Sequence, residues 1–299
     1  MINVLDTASI GYPITREGIS LFPVYLHQDG AMPEIPIVAG SADLIVSEVD
    51  GGHVPVLQVT NPGWRPVLLT EGETVVGGRQ NRVLNVSVLV PGAATIQIPV
   101  SCVEQGRWNQ GDRFERANWK ATRRVRRTMV HGLQHNLEQG HKAADQGAVW
   151  SAIDHELHRF AAHNDTGALH EVRRARIDDD GARAANELVA RGPLPQQCGV
   201  VVARGSRIVG AEVYASPELL AASWEGIIRP VMLEADGRPS RPSATQALRF
   251  LHRLGTGPQR VEPGVGLGRE VHVRTNKMVG QALLLDDLLV HASAFALAA

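Results

Sequence analysis

Between Gly18 and about Val103 the chain alternates short apolar runs with Gly, Pro, Asn and Asp, the pattern of strands joined by tight turns. It predicts strands over residues 19–26, 44–48, 54–60, 66–70, 74–76, 82–90 and 95–100. Val90-Pro91-Gly92-Ala93 reads as a turn, with Pro favoured early and Gly free to take positive φ, so residues 82–89 and 95–100 are expected to form a hairpin. The period then changes. Ala117, Ala121, Val125, Met129, Leu133 and Leu137 recur every four residues and predict a helix over 114–138, stopped by Gly140. Val149, Ile153, Leu157 and Phe160 predict a second helix over 149–162, and a third is expected over 182–190.

Two further strands, 199–203 and 208–214, flank Arg204-Gly205-Ser206 and read as a hairpin. Ser216-Pro217-Glu218 is a helix start, combining a capping hydroxyl, a proline suited to the first turn and an acid at the positive end of the dipole. That helix should run to about residue 233. A Pro/Gly/Ser/Arg segment, 237–243, precedes a short helix over 245–254, and strands return at 270–275, 279–285 and 288–295. The stretch GVVVARGSRIVGAEVYA from Gly199 echoes EVHVRTNKMVGQALLLD from Glu270, as an old hairpin duplication or by coincidence. The fold class is α+β: a β-rich barrel or sandwich core, a helical insertion, and C-terminal α/β and β-hairpin elements. We expect a single domain over 1–299, with the β-rich part at 18–110, the insert at 112–192 and the last part at 195–295.

Composition narrows the class of partner. Thirty basic residues nearly cancel 31 acidic ones, which gives no global electrostatic footprint for nucleic acid or a membrane surface. Two cysteines, Cys102 and Cys198, argue against a disulfide scaffold or a cysteine-rich metal site. The first residues lack a basic segment followed by an apolar run, and no stretch approaches about 18 uninterrupted apolar residues. A cytoplasmic chain is expected, with no membrane or nucleic-acid partner, and with exposed strand edges that leave a homo-oligomer open.

Chargeable side chains concentrate between Glu71 and Trp108. Gly77 and Gly78 let backbone approach a ligand, and Arg79, Gln80, Asn81 and Arg82 supply fork-shaped donors suited to phosphate or carboxylate. Arg107 adds a donor and Trp108 a stacking surface. Glu71 and Glu73, two apart, would share a face on a strand, unless Gly72 turns the chain. Cys102 lies near Glu104 and Arg107, where a guanidinium favours thiolate; buried apolar filler is the competing role. Glu73, Cys102 and Glu104 are therefore the catalytic candidates. The phosphate-loop patterns GxxxxGK[ST] and GxGxxG do not occur here.

Three other features compete. His155 and His158 are three apart rather than the four of a zinc helix, so no metal site is assigned. The basic run Arg113, Arg116, Lys120, Arg123, Arg124, Arg126 and Arg127 reads as a solvated face paired with Glu115, Asp178, Asp179 or Asp180. His291 and Ser293 share a strand face but follow no nucleophile elbow, which leaves His291 as a pocket polar group.

The runs GETVVGGRQNRVLNVSVLVP, IPVSCVEQGRW, GVVVARGSRIVGAEVYASPELL and VGQALLLDDLLVHASAF together resemble the ARG-and-rhodanese-phosphatase-superfamily-associated protein domain, from about Gly18 to Phe295. The resemblance implies a context near ADP-ribose or nucleotide-derived ligands, in bacterial conflict or NAD-linked pathways. It brings no catalytic residue and no cofactor assignment. The leading expectation is a cytoplasmic module binding a small anionic ligand through Gly77, Gly78, Arg79, Gln80, Asn81, Arg82, Arg107 and Trp108. The alternatives are a hydrolase of a nucleotide or ADP-ribose derivative, or a protein-interaction scaffold.

Overall fold

The computed structural model describes residues 2–27, 38–39, 43–108, 111, 113–162, 164–175, 179–239 and 241–297. The chain opens with β1 (Ser9–Ile10), β2 (Ile14–Arg16) and β3 (Ile19–Tyr25). Next come β4 (Val38–Ala39), β5 (Ile45–Glu48), β6 (Val56–Asn61), β7 (Val67–Leu69), β8 (Glu73–Gly77), β9 (Arg82–Leu84), β10 (Val88–Val90), β11 (Ala94–Cys102) and β12 (Arg113–Lys120). Helices α1 (Arg123–Leu137), α2 (Gln146–Arg159) and α3 (Asp180–Arg191) follow, then β13 (Gly199–Arg204) and β14 (Arg207–Tyr214). The chain ends with α4 (Pro217–Met232), α5 (Ala244–Thr256), β15 (Gln259–Pro263), β16 (Arg269–Arg274), β17 (Met278–Leu285) and β18 (Leu288–Ala296).

These elements form two compact units, Met1–Pro36 with Asp178–Gly264 and Gly268–Ala299, and Ile37–Ile177 with Val265–Leu267. The first is built on an antiparallel sheet in the order β1-β3-β13-β14-β18-β17-β16-β15, with β2 on β3. Strand alternation puts Phe22, Val24, Val201, Ala211, Val213, Val271, Ala282 and Ala292 into one core with Phe250, Leu251 and Leu254 of α5. Ser243 caps α5 by accepting from the Gln246 N–H, and Ser216 caps α4 through the Leu219 N–H, as the Ser-Pro-Glu start predicts. The expected hairpin β13–β14 is present, and its echo forms one as well, β16–β17. In the echo between them, Gly210 pairs with Phe295 and Gly280 with Ala294. Adjacent residues of β18 face opposite ways, so the matching glycines lie on opposite faces of the sheet, a poor sign for duplication.

The second unit is a closed barrel in the order β11-β6-β5-β12-β8-β9, with a three-stranded sheet β10-β7-β4. Val46, Leu57, Val59, Val75, Leu84, Ile98, Val100 and Phe114 fill its core, joined by Leu133 and Leu137 of α1. Two local expectations need correction. Residues 113–120 are not the first turns of a helix but strand β12, paired with β5 and β8. Phe114 is buried between exposed Arg113 and Glu115, a period of two that the four-residue spacing of Ala117 and Ala121 masked. The apolar stripe holds from Val125 onward, where α1 has begun. Likewise 82–89 is not one strand. Asn85 receives the Ser101 hydroxyl at 2.8 Å and Ser87 the Glu71 N–H at 3.0 Å, and between these bonds the chain leaves the barrel. Hence β9 pairs with β11 while β10 pairs with β7. No helix among the described residues is long and apolar enough to cross a membrane.

Candidate functional site

One rim of the barrel is assembled from the end of β5, the β8–β9 connection and the segment after β11. Gly77 and Gly78 reverse the chain there at φ of 119° and 49°. A Cβ on Gly78 would lie 2.1 Å from the Phe114 ring, so the step admits glycine on both conformational and steric grounds. The Gly78 N–H donates to the Arg113 carbonyl at 2.8 Å, tying the turn to β12.

Arg107 holds this turn from the other side. Its Nη1 donates to the Gly78 carbonyl at 2.9 Å, and its Nη2 to the Gly77 carbonyl at 3.1 Å and Asn81 Oδ1 at 2.9 Å. Nε donates to Glu104 Oε2 at 2.7 Å. Glu104 is in turn satisfied by the Asn81 N–H at 3.2 Å and the Thr166 hydroxyl at 2.9 Å. Gln80 Nε2 reaches the Glu104 carbonyl at 3.0 Å, and Asn81 Nδ2 lies 3.3 Å from His170 Nδ1. The two sequence segments 77–82 and 102–108 therefore converge through a single hydrogen-bonded network.

Within it the candidate residues separate by exposure. Arg82 is fully buried; its Nη1 donates to the Gln80 carbonyl at 2.8 Å, and Glu48 lies 3.9 Å from Nη2. Burial pulls the Arg82 pKa down, opposed by Cys102 and Glu48. Cys102 is also sealed. Burial pushes its thiol up, against the Glu104 N–H, Arg82 and the Trp150 indole, and its backbone is bonded both ways by the Gln146 amide at 2.8 and 2.9 Å. Arg79 and Trp108 face outward. The Arg79 guanidinium lies over the Trp108 ring at 5.4 Å, and Trp108 is 49% exposed. The Arg79 stem rests on Gly52, whose added Cβ would stand 2.5 Å from Arg79 Cδ. No carboxylate among the described residues pairs with the Arg79 guanidinium; its backbone N–H donates to Glu48 at 2.9 Å.

Glu71 and Glu73 do not form a carboxylate pair. Gly72, at φ 82°, turns the chain between them. Glu71 receives Arg126 at 2.6 and 3.0 Å, whereas Glu73 takes Arg116 at 2.7 Å and the Thr70 N–H and hydroxyl at 2.8 Å each. Burial raises the Glu73 pKa, but Arg116, Lys120 and the Thr70 bond outweigh it and hold the carboxyl below its ordinary value. The basic run thus finds acids at Glu71, Glu73 and, for Arg124, Glu156 at 3.1 Å. Of the partners expected for it, Asp179 caps α3, Asp180 pairs with Arg183, and Asp178 lies outside the described residues. His155 and His158 sit on exposed positions of α2.

Sequence reasoning missed Glu48, Gln146, Thr166 and His170, which reach the rim from distant parts of the chain and carry no local pattern. In the sheet unit it singled out His291 and Ser293 but missed buried Glu212, Tyr214, Glu270 and His272. Glu212 Oε2 lies 3.0 Å from His291 Nε2 and 3.4 Å from the Tyr214 hydroxyl, Ser293 stands opposite Glu212 in the ladder, and His272 pairs with Glu270 at 3.1 Å. The signal was available as polar residues two apart in otherwise apolar strands.

A β-rich α+β protein with a closed barrel, whose rim exposes an arginine on a tryptophan, is the class these features define. Residues 7–295 match the family model of the ARG and Rhodanese-Phosphatase-superfamily-associated Protein domain, and the chain belongs to that family. Comparisons with curated proteins and with solved structures found no match.

Proposed function

We propose that the barrel rim is a binding site for a small anionic ligand, with nucleotide-derived molecules of the ADP-ribose or NAD type the first candidates, in a cytoplasmic setting. The observation that carries this reading is Arg79: a half-buried guanidinium, without a carboxylate partner among the described residues, stacked on an exposed indole. A cation beside an aromatic face suits a ligand that combines phosphate with a flat ring, because the charge and the stacking surface are side by side. Arg107, Asn81 and Gln80 support the reading differently: Arg107 donates to the Gly77 and Gly78 carbonyls and Asn81 Oδ1 accepts the Gly77 N–H, which fixes the backbone that presents Arg79, while Gln80 donates to the Glu104 carbonyl. A hydrolase built on Glu73, Glu104 and Cys102 is less well supported: burial of Glu73 is outweighed by Arg116 and Lys120, which hold it below its ordinary pKa and weaken it as a base, and burial holds the Cys102 thiol above its own, away from the thiolate.

Calorimetric titration with ADP-ribose, NAD and common nucleotides tests it. Arg79→Ala and Trp108→Ala should each weaken the ligand that binds by about ten-fold. Unchanged affinity in both variants, or no heat with any of these ligands, refutes the assignment.

A further inference from the structure

Arg82 carries an unusual deficit. Of its guanidinium nitrogens only Nη1 is engaged, while Nε and Nη2 have no hydrogen-bond partner although the side chain is fully buried. The Nε–Nη2 edge is the fork that takes two oxygens of one oxyanion. Two acceptors beside it are equally unengaged. Glu48 Oε2 belongs to the carboxylate 3.9 Å from Arg82 Nη2, and Gln80 Oε1 to the residue whose carbonyl receives Arg82 Nη1. Buried polar atoms of this kind are ordinarily satisfied by protein or by ordered water, so four of them on Arg82 and the two residues bonded or paired to it mark a place that a polar guest can fill.

The partner's chemistry follows from the set. It must accept two hydrogen bonds from Arg82 and also donate to Glu48 or Gln80. A simple carboxylate or a sulfate accepts but does not donate near neutral pH. A phosphate or phosphate monoester, whose last proton dissociates near pH ~6, does both. Charge agrees: Arg79, Arg82 and Arg107 face Glu48 and Glu104 on this rim, leaving one positive charge unanswered among them.

We infer that Arg82, Glu48 and Gln80 form a phosphoryl subsite at the inner end of the rim, selecting phosphate over sulfate because Glu48 needs a proton to accept. The inference rests on the anionic-ligand reading and assigns the inner contact of the same site.

The test is titration of the whole chain at pH 6 to 7 with inorganic phosphate, sulfate, adenosine and adenosine monophosphate. Phosphate should bind at least ten-fold more tightly than sulfate. Glu48→Gln should erase that preference by raising sulfate to the phosphate level, and Arg82→Lys should weaken both by ten-fold or more. Should Arg82→Lys fail to fold, the Glu48→Gln selectivity decides alone. Adenosine monophosphate binding above phosphate, with adenosine silent, marks a nucleotide's phosphoryl group as the source; equal affinities mark free phosphate. Absence of phosphate binding, equal affinity for the two inorganic ions in the parent chain, or selectivity unchanged in Glu48→Gln overturns the subsite. Loss of Arg79 or Trp108 dependence while phosphate selectivity persists would instead sink the outer rim reading and leave this one standing.

Discussion

Arginines taken out of water are costly unless something answers their charge, and three in the barrel unit, buried Arg82 and Arg126 and half-buried Arg107, are answered differently. Arg107 is saturated by carbonyls and Glu104, and Arg82 is half-answered. Arg126 makes a two-bond pair with Glu71, whose side chain is fully buried. The Glu71–Arg126 pair locks the start of α1 to the turn before β8, because Gly72 leaves room there: a Cβ on it would meet Arg126 Nε at 2.3 Å. Removing Arg126 takes both of these bonds from a carboxylate sealed from water. Arg126→Ala should therefore destabilise the fold by about 3–5 kcal/mol in denaturant melts, whereas the paired change Arg126→Met with Glu71→Leu should recover much of the loss. Equal destabilisation by the single and the paired changes would show that packing, not the carboxylate's lost bonds, dominates.

At the scale of elements, the β8–β9 connection is where conformation and site meet. Gly78 takes φ 49° with its Cα facing the Phe114 ring, so Gly78→Ala combines backbone cost with a clash that a buried aromatic cannot relieve. We expect a loss of about 1–3 kcal/mol or more in stability, together with lost order at Arg79, read as a change in Trp108 fluorescence. A variant of unchanged stability and emission would mean the turn is not what aims Arg79. This connection was legible in the sequence because its cause is local: two glycines and a polar quartet between strands. Strands β3, β13, β14, β16, β17 and β18 and helix α4 were legible for the same reason, through short apolar runs between turn residues and a Ser-Pro-Glu cap, whereas β1, β2 and β15 were not read as strands. Strand β12 was not legible, since Arg113 to Lys120 carries only two large apolar side chains, Phe114 and Trp119, and pairing with β5 and β8 decided its state. Nor could the chain order reveal that Glu48 and Thr166 would bond to residues 79 and 104, because the tertiary fold brings them together.

On the scale of the whole molecule, the chain enters the barrel unit twice, once for residues 37–177 and again for Val265–Leu267. That second visit is three residues long, yet it is specific. Leu267 pairs with Leu89, its N–H donating to the Leu89 carbonyl at 2.9 Å, and Gly266 passes so close that an added Cβ would stand 2.1 Å from the same carbonyl oxygen. The flanking residues, Gly264 and Gly268, belong to the sheet unit and bond to each other at 3.0 Å, so the excursion is closed at its base. Such a closed three-residue excursion has few ways to relax, and backbone cannot move aside as a flexible side chain does. Gly266→Ala should push the excursion off β10 and cost about 1–3 kcal/mol. Native-state hydrogen exchange can read where the cost falls: the Leu267 amide and those of β7 and β10 should lose protection, while the amides of β13, β14 and β18 keep theirs. If protection falls equally in both units, the chain unfolds as one cooperative body, and the three-residue return contributes to the stability of the whole rather than of the barrel.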